Sequence, residues 1–156
     1  MPVRVQPEDF DVARELAVLR AGNRAVGAVA AFIGTVRDVN DNAQVASMTL
    51  EHYPGMTEKA LAAIVDTAKS RWDVVDALVI HRVGALQPAD QIVLVAVTSA
   101  HRGEAFAACE FIIDYLKTRA PLWKKEDTGD GARWVEARAT DDDAAARWKS
   151  PREPAA

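Results

Sequence analysis

The most informative segment of this chain is Asp114-Tyr115-Leu116-Lys117-Thr118-Arg119-Ala120-Pro121-Leu122-Trp123-Lys124-Lys125-Glu126, in which a proline separates a predicted helix from a predicted strand. The apolar spacing before it predicts a helix from about Gly103 to Thr118. Pro121 stops that helix, since proline lacks the backbone N–H that a helix interior needs. Leu122 to Lys125 and, after a loop, Arg133 to Ala137 have the pattern of two short strands.

The same stretch has an unusual charge pattern. It carries four cations between Lys117 and Lys125 and no acid among them, although the whole chain has a formal net charge of −4. Like charges held this close destabilise one another unless an anion binds to them. The pattern predicts an anion site in which Pro121 fixes how Lys117 and Lys124 are presented.

Composition limits the classes of protein to which this chain can belong. Its 156 residues, 49% apolar and 27% charged, indicate a globular protein with a real core, which we expect to form one domain over 1–148 with a frayed tail over 149–156. A pI of about 5.4 argues against a nucleic-acid binder. The single cysteine excludes an internal disulfide and a multi-cysteine metal site. The apolar runs are too short to span a bilayer and no signal peptide is visible, so we expect a cytoplasmic protein.

The order of predicted elements is mixed α+β rather than repeated βαβ units. Strands are predicted at Val3–Gln6, Ala25–Val36, Val45–His52, Val74–Val83 and Ile92–Thr98, and further helices follow Asp9 or Asp11, Thr57 and Thr140. The segment Ala25–Val36 has small and apolar residues on both alternating faces, so we expect it to be covered on both sides.

Lys117 and Lys124 are the first candidates for chemistry. They are either a helix-terminal lysine and an unrelated surface lysine, or two ammonium groups that converge on one anionic ligand. In the second case mutual repulsion disfavours the protonated form, which would make one amine available as a nucleophile or base. Tyr115, Trp123 and Trp134 are then either walls of the pocket or part of the core.

Two further sites have the right residue types for an anion. His101-Arg102 opens a helix directly after a strand, where backbone amides add to anion binding. Arg37 ends a buried strand and is placed to grip a phosphate or carboxylate with two hydrogen bonds. The alternative for His101-Arg102 is a partly buried histidine beside a solvated arginine, and the alternative for Arg37 is a surface arginine. His81 lies inside a strand and is interpreted as structural, and Cys109 falls on an apolar helix stripe, which is typical of a buried, inert thiol.

Taken together, these segments resemble the large, catalytic subunit of molybdopterin synthase, the MoaE family. The matching segments are 32–37 (Phe-Ile-Gly-Thr-Val-Arg), 50–56 (Leu-Glu-His-Tyr-Pro-Gly-Met), 81–84 (His-Arg-Val-Gly), 97–102 (Val-Thr-Ser-Ala-His-Arg), 114–126 and 134–137 (Trp-Val-Glu-Ala). In this order and spacing they are highly specific, and the likeness runs from about residue 3 to residue 148.

The resemblance implies an α/β hammerhead fold with an additional small antiparallel β-sheet, and a homodimer. Each large subunit would bind a small ubiquitin-like sulfur carrier of the MoaD type, which gives a heterotetramer. The carrier's C-terminal Gly-Gly tail, as a thiocarboxylate, would supply sulfur to cyclic pyranopterin monophosphate (precursor Z) and form the dithiolene of molybdopterin. This sulfurtransferase step in molybdenum cofactor biosynthesis would need no cofactor and no metal.

The resemblance also implies roles for individual residues. Lys117 would be the essential acid, base or attacking amine, and Lys124 would bind the anionic substrate and the carrier terminus. Arg37 would belong to the pocket, and Phe32 would line the tunnel for the tail. The substrate phosphate would be gripped by His101, Arg102 and Arg138, contributed by the neighbouring subunit.

Two positions depart from the family pattern. Ala89 follows Pro88 where we expect glycine, which questions the geometry of that turn, and Leu122 stands where the family often has an aromatic residue. Two other functions stay open: a binding module that uses the same pocket without turnover, and a hydrolase or redox protein dependent on Cys109. The second requires an exposed thiol of low pKa.

Overall fold

Two β-sheets and four helices form the part of the chain that the computed structural model describes, residues 2–40, 43–128, 131–135 and 139–149. The strands are β1 (Val3–Gln6), β2 (Ala28–Thr35), β3 (Val39–Asn40), β4 (Ala43–His52), β5 (Val74–Arg82), β6 (Gly84–Leu86), β7 (Gln91–Ser99), β8 (Leu122–Thr128) and β9 (Gly131–Val135). The helices are α1 (Val12–Arg20), α2 (Met56–Arg71), α3 (Arg102–Arg119) and α4 (Ala139–Ala146). No helix in these ranges is long and apolar enough to cross a membrane.

The first sheet has the strand order β1-β5-β7-β2, and only the pair β1–β5 is parallel. Because strand side chains alternate between faces, β7 supplies two separate cores. Its residues Val93, Val95 and Val97 pack with α2 and α3, whereas Leu94 and Ala96 pack with Phe10 and the apolar face of α1. Helices therefore cover both faces of the sheet at its centre, and the mixed α+β prediction is confirmed.

The second sheet is antiparallel, with the order β3-β4-β8-β9 and β6 paired to β4. It joins the first sheet through a small apolar cluster that contains Val36, Met48, Leu50, Val83 and Leu86. Since Val36 and Val83 directly follow β2 and β5, the cluster fixes the second sheet against the end of the first.

Strand β2 differs from its prediction. It runs over Ala28–Thr35 rather than Ala25–Val36, and it is an edge strand with most of its residues at least partly exposed. Helix α1 contacts β5 and β7, so the side chains of Val29 and Ile33 stay uncovered. The small residues of β2 therefore reflect close packing against β7 and not burial of both faces of the strand. At Gly34, for example, an added Cβ would lie only 2.8 Å from Val93 Cγ1.

Thr57 does not cap α2, contrary to the prediction from the sequence. Gly55 occupies the cap position with φ of 84°, and the Glu58 carboxylate accepts a hydrogen bond from its amide. Thr57 is fully buried, accepts a hydrogen bond from the Tyr53 amide and donates one of 2.8 Å to the Pro121 carbonyl oxygen. It therefore ties α2 to the connection between α3 and β8.

Helix α4 packs the C-terminal part of the described chain against α3. Trp148 lies edge-on against the rings of Trp72 and Phe111, and its indole nitrogen donates to Asp114 at 2.7 Å. Arg147 pairs with the same carboxylate at 2.9 Å. Of the tail predicted over 149–156, only Lys149 falls within the described residues.

The turn before β7 contains a backbone conformation that favours glycine. Ala89 has φ of 76°, the only positive value at a non-glycine residue in the described ranges. Its amide donates to the Val36 carbonyl oxygen at 2.8 Å. Ala89, which departs from the family pattern, therefore still forms the turn, but it adopts a left-handed conformation that is unfavourable for alanine.

We predict that Ala89→Gly raises the free energy of unfolding by about 1 kcal/mol or slightly less. The left-handed conformation costs alanine about 1–2 kcal/mol, part of which is offset by the greater freedom of glycine in the unfolded chain. Urea denaturation with an unchanged m-value measures this. The matched control is Ala63→Gly in the exposed middle of α2, where the same exchange costs about 1 kcal/mol. Destabilisation by both variants would contradict the assignment of strain to Ala89.

We predict that Thr57→Val lowers the free energy of unfolding by about 2 kcal/mol, because it leaves the Tyr53 amide and the Pro121 carbonyl without their partner at nearly constant volume. Urea denaturation measures the loss. Thr67→Val is the control, since the Thr67 hydroxyl is exposed and bonds only Ala63 within its own helix. Equal losses in the two variants would show that the hydrogen bond to Pro121 adds no more to the free energy of unfolding than the exposed Thr67 bond does.

Candidate active site

Lys117 and Lys124 border one cavity of about 140 Å³ between α3 and the second sheet. Alternation along β8 places Leu122 and Lys124 on the inner face, whereas Trp123 and Lys125 are exposed on the outer face. In register, Lys124 lies between Leu50 of β4 and Val135 of β9. The structure therefore brings Lys117 and Lys124 to the wall of one cavity, through the change of direction at Pro121.

His81 forms part of the wall of the same cavity. It shares its face of β5 with Val79, and its register partners are Val5 and Val93 on the two neighbouring strands. The ring is buried, and Nδ1 lies 2.8 Å from the Arg82 carbonyl oxygen. A carbonyl only accepts, so Nδ1 carries the proton and, in the neutral ring, Nε2 does not.

The pKa of His81 is lowered from 6.5 to about 4, mainly by burial. The Arg82 hydrogen bond opposes this shift, and the nearby positive charges of Lys117 and His52 add to it. The imidazole is therefore neutral at physiological pH. The structural interpretation of His81 agrees with this burial. Its strand parity, which puts it on the face of Val79 and hence beside α3, also places it in the cavity wall.

A second, open groove of about 630 Å³ leads to Lys117 from the side of β2. Phe32 and Phe106 line it, both with partly or largely exposed rings, together with Glu110 and Asp141. Lys117 borders both the groove and the cavity. Its side chain, which is exposed, therefore stands where an extended ligand in the groove would meet a small anion in the cavity.

The other predicted anion-binding residues lie elsewhere in this chain. His101 and Arg102 are exposed at the start of α3, where they border a cleft with Gly27. Fifteen to sixteen helical residues separate them from Lys117, about 23 Å at 1.5 Å per residue. Arg37 borders a different shallow cleft beside Pro88 and Ala89. Arg138 lies outside the described residues.

The aromatic residues considered as pocket walls are not in the cavity. Tyr115 is buried in the core, with its ring centroid 4.4 Å from that of Phe111. Trp123 and Trp134 are about half exposed on the outer face of the β8–β9 hairpin, where the Lys125 ammonium lies 5.7 Å from the Trp134 ring centre. Lys125 therefore interacts outside the cavity although it adjoins Lys124 in sequence.

Cys109 is buried, as predicted. Burial raises the pKa of its thiol to about 11, with a further contribution from Glu110, and the thiol contacts the Val95 carbonyl oxygen at 3.7 Å. A thiolate is the nucleophilic form, so this environment disfavours a hydrolase or redox centre at Cys109. Within the described ranges no three His, Cys, Asp or Glu side chains are grouped to hold a metal ion.

We predict that acidification from pH 6.5 to about 4 destabilises the protein by up to about 3 kcal/mol through His81 alone. In this window the unfolded chain binds a proton at the imidazole and the folded chain does not, so stability falls as pH falls. Urea denaturation across this range measures the effect. His81→Gln removes the titrating group, and its curve should be flatter by that amount. Parallel curves for the two proteins would contradict a buried, neutral His81.

Comparison with known proteins identifies relatives along most of the chain. A protein of Ralstonia nicotianae named molybdopterin synthase catalytic subunit is 70% identical over 146 residues, which cover 94% of this chain and 83% of the relative. The solved molybdopterin biosynthesis MoaE protein from Burkholderia ambifaria is 60% identical with a TM-score of 0.81, and the alignment covers 94% of this chain and 96% of that one.

A more distant solved structure, molybdopterin synthase from Staphylococcus aureus, is 33% identical and also has a TM-score of 0.81, with 87% of this chain and 98% of that chain covered. The fold predicted from the resemblance is therefore confirmed. The family model described as MoaE protein matches residues 5–119, the range that carries β1 to the end of α3. The chain belongs to the MoaE family.

Proposed function

We propose that this chain is the catalytic subunit of a molybdopterin synthase. It would act as a sulfurtransferase that moves sulfur from the C-terminal thiocarboxylate of a small ubiquitin-like carrier to cyclic pyranopterin monophosphate. The product would be the dithiolene of molybdopterin, in molybdenum cofactor biosynthesis. Relatives with this name along nearly the full chain support the assignment.

The observation that carries the proposal is the position of Lys117 between the cavity and the groove. Both reactants are anions, a phosphorylated pterin and a thiocarboxylate, and they repel each other unless cations lie between them. Lys124 supplies a second cation at the cavity wall. The groove beside Phe32 suits a Gly-Gly tail, because glycine has no side chain that could clash with the walls of the groove.

In this scheme Lys117 acts at the reacting carbon and sulfur atoms as acid, base or amine nucleophile. Lys124 holds the anionic substrate and the carrier terminus. Phe32 guides the tail, and Arg37 is assigned to tail and substrate binding. These roles are supported by the cavity and groove for both lysines and Phe32, and by the family pattern alone for Arg37.

The assembly we propose is a homodimer that binds two carriers. Two observations support it: β2 has an unpaired edge with exposed apolar side chains, and His101 and Arg102 lie about 23 Å from Lys117 along α3. A phosphate held by these two residues and reacting at Lys117 requires a second chain. Arg138 is assigned to the same phosphate site. We propose further that residues 1–148 act as one domain and that the protein works in the cytoplasm.

We predict that Lys117→Ala lowers molybdopterin formation by roughly 100-fold or more, the size expected for loss of a proton-transfer or nucleophilic group. The assay uses thiocarboxylated carrier and the cyclic pterin substrate, and carrier affinity is measured by calorimetry. Folding and carrier binding should persist. Full turnover in this variant would remove the central role of Lys117, and carrier binding without product in the wild type would indicate a binding module instead.

Lys125→Ala is the matched control for that experiment. It removes the same charge one residue from Lys124, but from the outer face of β8 beside Trp134. Its turnover should stay within roughly twofold of the wild type, as for other surface substitutions. Equal losses from Lys117→Ala and Lys125→Ala would mean that general positive charge, not the cavity, supports the reaction.

A further inference from the structure

His81 is the one buried ionisable side chain in the cavity wall to which the proposed reaction gives no task. It is placed by β5, held by a backbone carbonyl at Nδ1, and 5% exposed. Its position is fixed on both sides by Val5 of β1 and Val93 of β7, which cannot bond the ring. A polar side chain buried among apolar residues normally has hydrogen-bond partners or a functional role.

The second ring nitrogen of His81 is not sealed from solvent. Within the described residues no side-chain nitrogen or oxygen is both sealed from solvent and without a hydrogen bond. The recorded hydrogen bond of the His81 ring uses Nδ1, so Nε2 is reachable from the cavity that His81 lines. Nε2 is therefore a free acceptor position on a ring that borders the same cavity as Lys117 and Lys124.

The charged and titratable groups around His81 come from three elements. Lys117 on α3 and His52 on β4 act on it electrostatically, and Lys124 on β8 shares its cavity. Among the described residues no carboxylate shifts its pKa, so only the Arg82 carbonyl favours an imidazolium there. A ring that is neutral at physiological pH adds no third charge to the two lysines and offers an acceptor.

We propose that His81 is a positioning residue for Lys117: when the cavity is occupied, Nε2 accepts a hydrogen bond from the Lys117 amine nitrogen and orients it toward the anionic reactants. The contact works in either protonation state. An ammonium keeps two other N–H groups for the reactants, and a neutral amine keeps its lone pair directed at them. Such contacts tighten on substrate binding, which accounts for a Lys117 side chain that is exposed in the free chain.

The inference rests on the proposed function, and two variants test it. His81→Asn keeps a donor near the position of Nδ1 and removes the acceptor. His81→Gln places a carbonyl oxygen near the position of Nε2. We expect kcat to fall roughly tenfold in His81→Asn with KM for carrier within twofold, and to recover to within about threefold in His81→Gln. A purely structural role predicts equal kcat in both variants once each is shown to be folded, and that result would overturn the proposal.

A spectroscopic measurement separates the failure of this inference from the failure of the proposed function. The ¹⁵N resonance of His81 Nε2 is recorded in the wild type and in Lys117→Met, each free and with carrier ending in an ordinary carboxylate. We expect a shift of Nε2, and not of Nδ1, that depends on Lys117. Identical Nε2 resonances in both proteins would overturn the His81 role, whether or not turnover occurs. Absence of turnover in the wild type would overturn the proposed function and leave the resonance result standing.

Discussion

The site depends on one constraint, the direction in which the chain leaves α3. The helix ends at Arg119, Pro121 prevents its continuation, and the Pro121 carbonyl is held by the buried hydroxyl of Thr57. Only then can β8 pair with β4 and turn Lys124 back toward Lys117. The two lysines are seven residues apart, and a continuous helix would have separated them by about 10 Å along its axis.

Residues far from the lysines maintain this constraint. Thr57 belongs to α2, which packs in the same core as α3 on one face of the first sheet. The apolar cluster between the sheets includes Leu50 of β4, the register partner of Lys124. The second sheet is thus fixed to the end of the first by burial of apolar side chains, the main favourable contribution to folding. The cavity lies at this junction, since Met48 and Leu50 of the apolar cluster also line it.

Local patterns predicted much of the fold and the central pair of the site. Alternation and apolar spacing located β1, α1 and α3 closely, since capping by Asp11 and the stop at Pro121 act on neighbouring residues. The exposure of β2 could not be predicted, because the order of strands in a sheet depends on distant pairings. The place of His81 in the cavity wall depends on a similar distant contact: strand parity fixes the face on which it lies, but not the element that packs against that face. The family resemblance supplied the reaction, which no spacing or periodicity indicates.

The chemistry of the cavity follows from a balance between charge and burial. Two ammonium groups in a small cavity attract an anion strongly, but a third positive group would raise the cost of the empty site. An aspartate or glutamate in place of His81 would pair with a lysine and compete with the substrate for it. A neutral imidazole avoids both effects, because burial keeps the pKa of His81 near 4 while its outer nitrogen still accepts a hydrogen bond. In the proposed function, the wall could then orient Lys117 without neutralising its charge.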